Sequence, residues 1–155
     1  MSKGRIAFVV GHSHWGKSST LRALTNGNFH SRRTKIAGTE FYIRRMSNDD
    51  QPEGYIEFMK KLDPARYADV IAALCPEFVS PDKATDAILR NLSAKGYSLF
   101  FWVIQHQYGK PNTVSQAEIQ CLQSFGTVEV FTEKNAEAES RSKSFKRFVS
   151  DVVLA

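Results

Sequence analysis

Eight consecutive residues, Gly11-His12-Ser13-His14-Trp15-Gly16-Lys17-Ser18, follow the spacing G-x-x-x-x-G-K-S. Each fixed position has a use around a phosphorylated anion. Gly11 and Gly16 permit backbone conformations and close approaches that a Cβ would obstruct. The N–H groups of such a loop turn inward as an anion nest. A helix starting near Lys17 adds its unpaired N–H groups and the positive end of its dipole. Lys17 is then placed to neutralise β- and γ-phosphates, and Ser18 to offer a hydroxyl to Mg²⁺. Ser19 and Thr20 fall in the first helical turn, where either one contacts the α-phosphate or stands as a plain helix hydroxyl. Trp15 covers the phosphates or packs on a neighbouring loop. His12 and His14, with no third ligand beside them, read as ordinary loop side chains.

Such a loop needs a buried strand before it and a helix after it. Residues 5–10 (RIAFVV) are a short apolar run ended by Gly11, and residues 18–26 place Leu21 and Leu24 on one helical face. Further strands are expected at residues 39–46, 70–74, 98–105 and 127–132, with a short partner at 34–37 and a turn at Gly38. Helices are expected from Asp50, as N-cap with Glu53, from Ser80-Pro81, from the capping box Ser115–Glu118, and over residues 137–153. The last of these places Phe145, Phe148, Val149, Val152 and Val153 on one face, and leaves Arg141, Lys143, Lys146 and Arg147 as a solvated face. Alternating strands and helices predict an α/β fold in three layers: a mainly parallel sheet of five or six strands with helices on both faces.

The length of 155 residues suits one domain, residues 1–155, and no stretch is apolar for long enough to span a bilayer. The run at 5–10 is too short for an export signal, so the expected location is the cytoplasm. Cys75 and Cys121 lack metal-type spacing and read as reduced thiols. A net charge of +5 is compatible with nucleotide phosphates, nucleic acid or an acidic protein, and selects none of them.

The loop and its strand–loop–helix context resemble the P-loop NTPase superfamily, and the order of elements along the chain resembles a divergent Ras-like GTPase domain. The resemblance implies a nucleoside triphosphate, ATP or GTP, bound with Mg²⁺ by residues 11–19: Gly11, His12, Ser13, His14, Trp15, Gly16, Lys17, Ser18 and Ser19. It also implies a switch at residues 29–39, in which Thr34 and Thr39 are candidate hydroxyls and Thr39, with Ser18, a candidate metal ligand. The other family motifs are altered. No Asp stands three residues before a Gly in Asn48-Asp49-Asp50-Gln51-Pro52-Glu53-Gly54, and Gln105-His106-Gln107-Tyr108 stands where the guanine-reading N-K-x-D belongs. Guanine specificity is therefore not implied. Asp49 and Asp50 are the leading second acids, for holding Mg²⁺ through water or orienting an attacking group, and complete the candidate catalytic set with Lys17. Glu77, just past the fourth strand, is a further candidate acid.

Three functions compete. The first is a Mg²⁺-dependent nucleoside triphosphate hydrolase or nucleotide switch of weak intrinsic activity, acting through a protein partner. The second is a small P-loop kinase acting on a small molecule or nucleic acid, for which Asp49 or Asp50 would activate the acceptor. Kinases of this kind carry an arginine-bearing lid before the last strand, and residues 105–126 hold Lys110 and no arginine. The third is a nucleic-acid-binding or pseudo-enzyme module using Arg32, Arg33, Lys35, Arg44 and Arg45.

Overall fold

The computed structural model describes residues 3–27, 32–50, 52–79 and 84–155. They form an α/β fold around one six-stranded sheet in the order β2-β3-β4-β1-β5-β6. The strands are β1 (Gly4–Val10), β2 (Arg33–Ile36), β3 (Thr39–Arg44), β4 (Asp69–Leu74), β5 (Tyr97–Ile104) and β6 (Gly126–Phe131). The helices are α1 (Lys17–Leu24), α2 (Pro52–Lys61), α3 (Thr85–Ala94), α4 (Gln116–Gln123) and α5 (Ala138–Phe148), the last running into a π-helical turn at Val149–Val153. β3, β4, β1, β5 and β6 are parallel, and β2 pairs antiparallel with β3 at the edge.

The central strands are apolar on both faces because both faces are covered. Every residue from Ile6 to Val10 is fully buried, as is every residue from Val70 to Leu74. Phe8 stacks on Phe101 with ring centroids 5.3 Å apart, and Trp102 packs between Phe131 and Phe145. The hairpin at the edge turns through Ala37 and Gly38, with φ of 50° and 83°. Two successive positive φ values are what a two-residue turn of matching twist requires. No helix among the described residues is long and apolar enough to cross a membrane.

One helix start differs from expectation. α2 begins at Pro52, and the Asp50 carboxylate turns back to accept from the Ser47 N–H at 3.2 Å rather than capping the helix. The expected start at Ser80-Pro81 lies outside the described residues, and α3 is described from Thr85. The capping box on α4 is present: Ser115 Oγ accepts from the Glu118 N–H and the Glu118 carboxylate accepts from the Ser115 N–H.

The connectivity makes one crevice. β1 and β4 are neighbours, yet the helices that follow them pack in different pairs, α1 with α5 and α3 with α2. The loops leaving the carboxyl ends of these two strands therefore diverge, and such a point in an open α/β sheet is where ligands bind.

Candidate functional site

The loop 11–18 leaves β1 on one wall of that crevice. Its first N–H, from Gly11, donates to the Leu74 carbonyl at 3.1 Å, which ties the loop to the end of β4. The Trp15 N–H donates to the His12 carbonyl at 3.2 Å, closing a tight turn in which His14 has φ 66°. Gly16 has φ 93° and serves as N-cap of α1 without a side-chain cap. The opening N–H groups of α1 thus lack a capping side chain, and its first turn carries no acidic residue, so the positive helix end is unopposed. Gly16 fits its sequence-based role well. At Gly11, by contrast, a Cβ would meet its nearest neighbours at 3.4 Å or more, so close packing there is ordinary.

Lys17, expected to neutralise phosphates, does not stand in solvent. It is 5% exposed. Its ammonium donates to the carbonyls of Gly11 at 2.6 Å and His12 at 2.9 Å, and lies 3.5 Å from Asp49 Oδ1. The Asp49 side chain is 3% exposed, and neither of its oxygens has a hydrogen-bond partner among the described residues. A buried carboxylate with unfilled acceptor sites is costly unless something else completes its shell. Asp50, one residue on, is exposed and folded back on Ser47, so the two candidate acids separate: Asp49 faces the loop and Asp50 does not.

Asp49 is positioned by a buried network. The amide of Asn48 accepts from the Cys75 N–H at 2.7 Å and donates to Thr85 Oγ1 at 2.9 Å, and Thr85 Oγ1 donates to the Cys75 carbonyl at 3.0 Å. This pins the turn after β3 to the end of β4 and the start of α3.

Arg141 is the functional neighbour that sequence reading assigned to solvent. It is 8% exposed, and its Nε donates to Thr20 Oγ1 at 2.9 Å. Its Nη1 donates to the Ala136 carbonyl. A Cβ on Gly16 would lie 2.7 Å from its Nη2, so the guanidinium lies directly against the loop. Burial lowers the Arg141 pKa from its ordinary value, against the opposing effects of Glu137 and Tyr108. The helical stripe carried the signal: Arg141 stands four residues before Phe145 and seven before Phe148, on the buried face where α5 packs on α1. Lys143, Lys146 and Arg147 do stand in solvent as expected.

Thr39 is removed from the candidate metal set. Tyr42 is level with Val70, and Val70 with Ile6, so Thr39, three residues earlier, is level with Lys3. At about 3.3 Å per residue it is ~23 Å from the carboxyl end of β1 at Val10. Thr34, paired with Phe41, also lies toward that far end of the strands. The hairpin reverses the chain before β3, which carries Thr39 away from the loop. Residues 29–31 of the expected switch lie outside the described residues.

The remaining candidates divide by exposure. Ser13, His14 and Ser19 are exposed, and Ser18 is half-buried at the helix start. Trp15 is buried and takes the His12 ring edge-on with centroids 5.2 Å apart, so it packs within the loop. His106 and Tyr108 line a narrow cleft of about 10 Å³ with Trp15, Glu133 and Asn135. Glu133 supplies there a carboxylate that the segment 105–108 lacks.

His12 is held in a cluster of its own. Its Nε2 lies 3.0 Å from Glu118 Oε2, and its Nδ1 lies 3.8 Å from Cys75 Sγ. Glu77, past the end of β4, brings a carboxylate oxygen to the same place. Neither a protein-family model, nor a curated protein, nor a solved structure matches this chain.

Proposed function

We propose that this chain binds a nucleoside triphosphate with Mg²⁺ at residues 11–18, in a P-loop NTPase-like fold, and works as a weak hydrolase or nucleotide switch. The observation that carries the reading is the Asp49 carboxylate, buried beside Lys17 with both oxygens unfilled. A hard cation with oxygen ligands would complete that shell, and the half-buried Ser18 hydroxyl is the second donor of the right type. Ser18 and Asp49, the latter directly or through water, are the residues that would hold Mg²⁺. When bound, the ion would neutralise charge on the β- and γ-phosphates.

The protein's own part is binding and orientation. The uncapped N–H groups at the start of α1 and the turned loop 11–16 receive phosphate oxygens. Lys17 now holds two loop carbonyls, and moving its ammonium onto a phosphate exchanges those neutral acceptors for a charged one. Arg141 backs the loop at Gly16 and keeps its shape. With Asp50 turned away, Asp49 is the acid nearest the lysine, and the reading therefore assigns slow turnover.

Product analysis with Mg²⁺-ATP and Mg²⁺-GTP tests the class of reaction. Free phosphate without an acceptor supports the hydrolase or switch. A phosphorylated acceptor would replace that reading with a kinase, and absence of both products together with absence of binding would end it.

A further inference from the structure

We propose that His12, Cys75 and Glu77 form a binding site for Zn²⁺ or a similarly thiophilic divalent metal, with Glu118 holding the histidine from behind. The site stands on its own observations and does not depend on triphosphate binding.

The three residues come from two adjacent loops at the crevice, after β1 and after β4. One ligand atom from each, an imidazole nitrogen, a thiol sulfur and a carboxylate oxygen, lies within 4.8 Å of the other two. In a tetrahedral zinc site, bonds of about 2.3 Å to sulfur and about 2.0–2.1 Å to nitrogen set an S···N edge of about 3.6 Å. The Cys75 Sγ to His12 Nδ1 distance is 3.8 Å, so little movement separates the present arrangement from a coordinating one.

The second observation is the state of the histidine. Glu118 lies 3.0 Å from Nε2, which leaves Nδ1 as the nitrogen facing Cys75. A ligating histidine characteristically gives its other ring N–H to a carboxylate, which fixes the tautomer and raises ligand basicity. Glu118 is itself fixed, because its carboxylate closes the capping box with the Ser115 N–H at 2.9 Å. Cys75 is braced as well, its N–H and carbonyl both engaged by the Asn48–Thr85 network. His12 and Cys75 are therefore held through α4 and the end of β4.

The donor set selects the metal. A thiolate with imidazole and carboxylate suits Zn²⁺ and disfavours Mg²⁺ and Ca²⁺, which take oxygen ligands. Binding converts the Cys75 thiol to thiolate, with the proton released to solvent and a metal–sulfur bond formed without redox change. Three protein ligands leave a fourth position for water or an anion oxygen. The His12 carbonyl also accepts from Lys17, so an ion at His12 would tie the loop 11–18 to the end of β4.

The test uses the full chain, reduced and freed of metal with a chelator, titrated with Zn²⁺ against a chromophoric competitor and separately with Co²⁺. One equivalent of Zn²⁺ is expected, with a thiolate-to-Co²⁺ charge-transfer band. Cys75→Ser should remove the band, and His12→Gln should weaken Zn²⁺ binding by about 100-fold or more. Glu118→Gln, which retains a capping-box residue, should weaken it by about 10-fold. Cys121→Ser, at the exposed cysteine, should change neither. A wild-type protein without the band, a band lost in Cys121→Ser instead, or unchanged Zn²⁺ affinity in folded His12→Gln would overturn the site. Ser18→Ala, at the half-buried helix start, separates the two sites: it should weaken Mg²⁺-triphosphate binding and leave the Co²⁺ band in place.

Discussion

The ammonium of Lys17 lies 3.5 Å from Oδ1 of Asp49, with the two side chains 6% and 3% exposed. The pair joins the loop after β1 to the turn after β3, although β4 lies between these strands in the sheet. Two buried opposite charges sustain each other, and either one alone is a liability. Lys17→Ala should therefore lower stability by ~3–5 kcal/mol, because Asp49 is left uncompensated. Adding Asp49→Asn should recover part of that loss. Urea unfolding of the two single variants and the double variant measures the coupling, and strict additivity would show that the pair does not interact.

Gly16→Ala should impair the loop and spare the sheet. Its φ of 93° strains any Cβ-bearing residue, and the new methyl would meet Arg141 Nη2 at 2.7 Å. A cost of at least ~1 kcal/mol follows from the backbone conformation alone. Far-UV circular dichroism should stay native-like while triphosphate affinity falls. A variant with wild-type affinity would show that the loop tolerates a side chain there.

Arg141→Lys tests whether the guanidinium fork matters beyond its charge. Arg141 donates from Nε to Thr20 Oγ1 and from Nη1 to the Ala136 carbonyl, and a lysine cannot reproduce both. Triphosphate affinity should fall by about 10-fold or more, with ~1–3 kcal/mol lost in stability from the unfilled partners. Equal affinity in Arg141→Lys would reduce the residue to a positive charge.

Among the described residues, ligand-dependent ordering should be confined to the turn at residues 47–50. The described part of the expected switch, residues 32–39, is β2 and the turn into β3, which lies at the amino-terminal end of β3, away from the loop. Hydrogen exchange should show added protection at residues 47–50 with a triphosphate analogue and Mg²⁺, and none over Arg33–Ile36 or Thr39–Arg44. Protection gained along the whole hairpin would restore it as a switch.

Elements that depend on local signals were legible in the sequence. The apolar runs ended by glycine or proline became β1 and β4, and the Ser115–Glu118 capping box opens α4 as read. The spacing of the loop 11–18 located a helix N-terminus with a left-handed glycine before it. What depends on packing between distant segments was not legible. Arg141 falls on the face of Phe145 and Phe148 by helical spacing, but its partner Thr20, 121 residues away, is set by the contact between α1 and α5. The cluster of His12 and Cys75 joins residues 63 apart through the adjacency of β1 and β4, which no spacing within one loop reveals. Thr39 shows the converse error. Its place in a switch was implied by the resemblance in element order, while strand direction in the hairpin decides which end of the strands it reaches.

The central claim rests on triphosphate binding at the loop, and equilibrium titration of the full chain with ATP and GTP, each with and without Mg²⁺, tests it most directly. The account predicts saturable binding of one triphosphate that Mg²⁺ strengthens, with the Mg²⁺ effect lost in Asp49→Asn and binding lost in Lys17→Ala. Absence of saturable binding by the folded wild-type chain, or an affinity unchanged by Lys17→Ala, would contradict it.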